Sequence, residues 1–140
     1  MDWMLMPLRR YAEFAGRSQR KEYWMFWLLN VLIGLFVGLV FLVGYYADMS
    51  QTEMDTWLMP VVWLACLWSL ATLVPGIAVT FRRLHDTDRS AWNLLWGLVP
   101  FIGGFVLLYF YVSDGTEGPN RFGADPKASG GWEIPQPPRP

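Results

Sequence analysis

Three stretches of this chain, residues 24–47, 57–81 and 91–113, contain no Asp, Glu, Lys or Arg. Each exceeds the roughly 20 residues that an α-helix needs to cross the hydrocarbon core of a bilayer. A buried helix of a soluble protein seldom runs that far without a charge. Composition points the same way. The chain is 54% hydrophobic and 16% charged, against about 25% charged in soluble domains. Nine Trp, nine Phe and six Tyr are more than a soluble core of this size could bury. The expected fold class is all-α integral membrane, with three transmembrane helices at about 24–47, 57–81 and 91–113. One helical membrane domain, residues 1–127, would hold all three, followed by a disordered Pro-rich tail, 128–140.

The first run is expected to remain as an anchor. It is too long for the apolar region of a signal peptide, and "GYYADM" offers no A-x-A cleavage site. The pair Arg9-Arg10 is separated from the run by "YAEFAGRSQRKE", which argues against a twin-arginine signal. Basic residues set the orientation. Arg9, Arg10, Arg17, Arg20 and Lys21 precede the first run, and Arg82, Arg83 and Arg89 follow the second. The connection "DMSQTEMDT" between them carries only acidic charges, Asp48, Glu53 and Asp55. The positive-inside rule then places the N-terminus and the 82–90 loop in the cytoplasm. Tyr23, Trp24 and Trp92 suit one interface, and Tyr45, Tyr46 and Trp57 the other.

The third run holds Pro100, Gly103 and Gly104 in "GLVPFIGGF". Proline removes a helical hydrogen bond and clashes with the preceding turn. A kinked span with an external C-terminus is the first expectation. The alternative is a re-entrant hairpin, which would return the C-terminus to the cytoplasm. Pro75-Gly76 predicts a bend late in the second helix, and Pro60 suits a first helical turn. Ahead of the first span, Met4, Leu8, Tyr11 and Ala15 recur at helical spacing, predicting a short interfacial amphipathic helix limited by Pro7. Gly16 would break it and Ser18 would cap the next helix. The end, "IPQPPRP", reads as polyproline-like.

The densest group of ionisable residues is "RRLHDTDRS", 82–90. An antiparallel first and second span would bring it to "GRSQRKEYW". Glu22 at the start of one helix and Arg82 and Arg83 at the end of the other suit the two helix dipoles. Glu22 is expected to pair with one of these arginines, and Asp86 or Asp88 with Arg17, Arg20 or Lys21. The leading interpretation is a structural staple. Surplus arginines, Arg89 included, could instead grip lipid phosphate or another anion. His85 and Asp86 form the one candidate acid–base pair, without any nucleophile motif. No catalytic, cofactor or metal set is expected: one His and the apolar Cys66 show no ligand spacing. The net charge of −1 gives no basic field for nucleic acid. Gly34 with Gly38, and Ala65 with Ser69, are small-xxx-small pairs suited to close helix packing, within the chain or between copies.

Three segments together, "FAGRSQRKEYW", "RRLHDTDRSAW" and "DGTEGPNRFGADP", resemble the bacterial domain-of-unknown-function 805 family from about Tyr11 to Lys127. Asp88, Ala91 and Asn93 stand where that family usually has glycine, glycine and tryptophan. Aspartate tolerates a left-handed turn better than most residues. The resemblance implies a multi-pass inner-membrane protein with no assigned activity. It draws attention to Arg17, Arg20, Glu22, Arg82, Arg83, His85, Asp86 and Arg89, and to Asn120, Arg121 and Asp125 in the tail motif. The function expected first is structural or interacting, with the basic cluster meeting membrane lipid or a partner protein, another copy of the chain included. A transport component comes second, although no charge within the apolar runs marks an ion path. An enzyme using His85 and Asp86 comes last.

Overall fold

The structure, a computed structural model, describes residues 2–47 and 50–128. Asp48 and the Pro-rich segment 129–140 lie outside the described residues. The order is α1 (Asp2–Arg9), α2 (Arg20–Tyr46), α3 (Gln51–Asp86), a 3-10 segment (Ala91–Leu98) and α4 (Ile102–Val112). The described residues are helical apart from turns and one isolated bridge between Asn120 and Gly123.

Gly16 turns the chain into α2 with φ +84°, a conformation that costs glycine little. Ser18 does not cap that helix. The N-cap is Gln19, without a side-chain bond, and Ser18 Oγ donates to Glu22 Oε2 at 2.6 Å instead. The expected interfacial helix is also shorter than its periodicity suggested. α1 ends at Arg9, ahead of Tyr11, and includes Pro7. Met6 is buried, whereas Tyr11 and Phe14 are exposed.

α2 and α3 are both long and apolar enough to cross a membrane. Contacts at successive levels give an antiparallel register. Trp68 Nε1 donates to Asn30 Oδ1 at 3.1 Å, Gly76 lies against the Phe26 ring, and Arg82 meets Glu22. Away from that seam the helices show large bare apolar residues, such as Phe36 at 64% exposure and Leu70 at 66%. Aqueous exposure of so much apolar surface is unfavourable, and lipid is the solvent that suits it.

α3 begins before the apolar run and ends after it. Ser50 and Glu53 form a reciprocal capping box, so the acidic connection is mostly helical and Pro60 falls inside the helix rather than in its first turn. The helix continues through Pro75 and on to Asp86. Half of the expected 82–90 loop is therefore its last turn, which places four charged or polar side chains in fixed directions.

Residues 91–113, expected first as a kinked span and alternatively as a hairpin, form two short helical arms and not one continuous helix. The 3-10 segment and α4 are each too short to cross about 30 Å of hydrocarbon, at about 16 Å apiece. Between them Ile102 N–H donates to Pro100 C=O at 2.8 Å, closing a γ-turn centred on Phe101, with φ 65° and ψ −53°. γ-Turns with positive φ are rare and strained in L-residues. Beyond the turn the two arms touch closely. A Cβ on Gly103 would lie 1.7 Å from the Trp96 carbonyl oxygen, so only glycine fits there. The hairpin returns Ser113 and Thr116 to the end of α3.

Candidate functional site: a buried ion-pair cluster

The last turn of α3 has carbonyls without helical partners, as every helix end does. Other segments supply donors for them. Ser18 N–H bonds to Arg82 C=O at 3.1 Å and Thr116 N–H to Asp86 C=O at 2.8 Å. Asn120 Nδ2 donates to His85 C=O at 2.9 Å. The N-terminal segment and the segment after α4 are thus tied to one helix end before any charge is considered.

The charges then interlock. Arg82 Nη2 lies 2.7 Å from Glu22 Oε1, and its Nη1 donates to Glu13 C=O at 3.2 Å. Arg10 joins from α1's end, 2.6 Å from Glu13 and 3.8 Å from Glu22. Arg17 Nε meets Asp86 Oδ1 at 3.0 Å, while its two terminal nitrogens donate to Gly118 C=O and Thr116 C=O, both at 2.6 Å. Arg83 meets Asp86 Oδ2 at 2.5 Å and donates to the carbonyls of Tyr111 and Ser113. Arg17, Glu22, Arg82, Arg83 and Asp86 are all buried. One donor, Arg82 Nε, is buried with no partner among the described residues.

Burial pushes the Asp86 carboxyl above its usual range, against the pull of Arg83 and Arg17. Glu13, nearer the surface, is held below the usual range by its hydrogen bond from Arg10. Gly115 lies so close to Asp86 that a Cβ there would sit 2.1 Å from Oδ2. That glycine closes the cluster from the C-terminal side.

Of the residues singled out in the sequence, Arg17, Glu22, Arg82, Arg83 and Asp86 form this cluster. Arg20 sits at its rim, 2.5 Å from Asp114. Arg89 stacks over the Phe110 ring at 4.1 Å. His85 and Asp86 are not hydrogen-bonded to one another. The imidazole Nδ1 faces Gly16 C=O at 3.2 Å, and its ring stacks on Phe122 at 4.0 Å between centroids. The carbonyl contact fits an Nδ1–H tautomer. Burial lowers the pKa of His85, with Arg121 acting in the same sense and the Gly16 bond opposing both.

The tail motif joins the same face. Asn120 Oδ1 accepts from Phe122 N–H at 2.9 Å. Asp125 accepts from Gly118 N–H at 3.1 Å, and Arg121 meets Asp88 at 3.1 Å. Asp88 adopts φ +54°, the left-handed turn expected where the family usually has glycine. Gly34 and Gly38 are exposed, with open space where a Cβ would stand. They do not pack against α3. Ser69 Oγ donates to the Ala65 carbonyl at 2.9 Å within its own helix.

Sequence reading missed Arg10, Glu13, Gly115 and the carbonyls of 111–118. The i, i+3 spacing of Arg10 and Glu13 was a usable signal. Backbone carbonyls carry none.

A family described as "Protein of unknown function (DUF805)" matches residues 11–124. Inner membrane protein YhaI of Escherichia coli K12 is 45% identical over 91% of this chain and 97% of its own length. Inner membrane protein YhaH of the same strain is 42% identical over 91% and 98%. A third relative, uncharacterized protein YiiR, is 30% identical over 80% and 84%. No solved structure matches significantly. The matched span contains Arg17, Glu22, Arg82, Arg83, Asp86 and the hairpin, and the chain belongs to the DUF805 family of membrane proteins of unknown function.

Proposed function

We propose that this chain is a two-span inner-membrane protein with a re-entrant hairpin, acting in a structural or interacting role. The polar cluster is a self-satisfied clamp on the cytoplasmic side. One observation carries the reading: the buried arginine donors, Arg82 Nε aside, end on the chain's own carboxylates and carbonyls. A site built to grip an outside anion would keep guanidinium N–H groups unoccupied and reachable. The relatives named as inner membrane proteins support the location, and the basic–acidic–basic charge order supports the side. Lipid and any protein partner would then meet the bare apolar faces of α2 and α3, including the open Gly34 and Gly38 surface.

The test is a topology reporter fused after Pro140. The expected result is a cytoplasmic signal, matching one fused before Met1. A periplasmic signal at the C-terminus, with the N-terminus cytoplasmic, would overturn the hairpin and separate the clamp's components.

A further inference from the structure

The buried arginines direct their donors into the clamp, Arg82 Nε aside. Nearer the surface, Arg20 and Arg121 are paired with Asp114 and Asp88. Arg89 differs. Its guanidinium lies over the Phe110 ring, 4.1 Å from the centroid, and none of the guanidinium N–H groups has an acceptor among the described residues. The residue is partly exposed, and the aromatic face covers the cation on one side. Its acidic neighbour in sequence is already engaged: Asp88 Oδ1 accepts from Arg121 Nε at 3.1 Å, and Asp88 C=O from Arg121 Nη2 at 2.8 Å. Arg89 stands just ahead of the 3-10 arm, and Phe110 lies in the last turn of α4. The pair therefore marks the mouth of the hairpin, where two apolar arms meet the polar face. On those arms Trp92, Leu95, Phe105 and Tyr109 are exposed, and Trp and Tyr are the apolar-bodied side chains that favour the headgroup level.

From these observations we infer that Arg89 binds the phosphate of an anionic phospholipid whose acyl chains lie along the bare arms of the hairpin. Two matches carry this. A guanidinium fork offers parallel donors in the geometry of a phosphate, and stacking on Phe110 sets its plane beforehand, which lowers the ordering cost of binding. The cation also stands where a lipid has its phosphate, with apolar surface beyond it where a lipid has its chains. Free phosphate gains the first match and lacks the second. A zwitterionic lipid brings its own ammonium group beside the phosphate, so its net attraction to Arg89 is weaker. The inference goes beyond the clamp but rests on the hairpin of the proposed reading, because a crossing span would carry Phe110 away from Arg89.

The experiment follows thermal unfolding of the full chain in dodecyl maltoside, titrated with phosphatidylglycerol, phosphatidylcholine or inorganic phosphate. A ligand that binds the folded state raises the melting temperature. A saturable rise with phosphatidylglycerol is expected, a weaker response to phosphatidylcholine, and none to inorganic phosphate at the same concentration. Arg89→Gln should melt near wild type without lipid and need about tenfold more phosphatidylglycerol for the same rise. Phe110→Leu keeps the cation and removes its platform, so it should weaken the response less, and Lys127→Gln should leave it unchanged. An Arg89→Gln response equal to wild type overturns the assignment. So does a full rise with inorganic phosphate, which would make Arg89 a free-anion contact. Should Arg89→Gln fail to fold, the Phe110→Leu titration decides, and an unchanged midpoint there overturns the assignment. Either failure beside a cytoplasmic C-terminal reporter would leave the hairpin standing, so the two readings fail separately.

Discussion

Arg83 shows how much of the clamp depends on the shape of guanidinium rather than on charge alone. Its Nε, Nη1 and Nη2 reach Tyr111 C=O, Asp86 and Ser113 C=O respectively. A lysine ammonium is a point charge on a flexible stem and cannot span three acceptors set in one plane. Arg83→Lys should therefore destabilise by about 2 kcal/mol or more, approaching the roughly 3–5 kcal/mol expected for Arg83→Met, which leaves Asp86 short of a partner. Thermal unfolding in detergent measures both, and a lysine variant as stable as wild type would mean charge suffices. His85 gives a pH effect of defined sign. Its pKa is lowered in the folded chain from about 6.5 when unfolded, so the unfolded state binds the proton more readily. Stability is complete above the unfolded value and falls as pH drops through the folded one. A melting series from pH 7.5 to 5 should show this loss, and His85→Gln should flatten it. A variant with an unchanged slope would assign the loss to other groups.

Among the elements, the hairpin is where sequence and structure part most clearly. Hydropathy reports that residues 91–113 prefer an apolar medium, and both a span and a hairpin satisfy that. The signal for reversal was present in Pro100, Gly103 and Gly104. What it lacked was the distance between arms, which exists only after folding. By contrast, Glu22 meeting Arg82 was legible, because two antiparallel helices must bring a first turn beside a last turn. The early start of α3 was not anticipated: the acidic connection reads as a loop, although its Ser50-x-x-Glu53 spacing is that of a capping box. Glycines 103 and 104 now make a paired test. A Cβ at Gly103 meets backbone at 1.7 Å, whereas at Gly104 it meets nothing within 4 Å. Gly103→Ala should lower the melting temperature sharply, since no side-chain rotation relieves a contact with a carbonyl, and Gly104→Ala should match wild type or slightly exceed it. Equal effects would mean the arms do not pack this way.

At the scale of the whole molecule, the clamp makes the segment after α4 part of the fold rather than an appendage. Thr116 and Gly118 accept two of the buried Arg17 donors, Ser113 accepts one from Arg83, and Thr116 N–H serves the last carbonyl of α3. A chain ended after Val112 keeps every apolar run and every ion pair of the buried core, yet leaves these donors unmatched. Because an unsatisfied buried group costs about 1–3 kcal/mol, and more if charged, the combined loss rivals the whole stability of an ordinary domain. A chain ended after Ala128 retains all of those bonds. The shorter chain should thus be cleared from the membrane fraction in pulse-chase labelling, while the longer one persists like wild type. If the two decay alike, the apolar helices alone hold the fold and the clamp is incidental. If only the shorter one is lost, the polar face is what closes it.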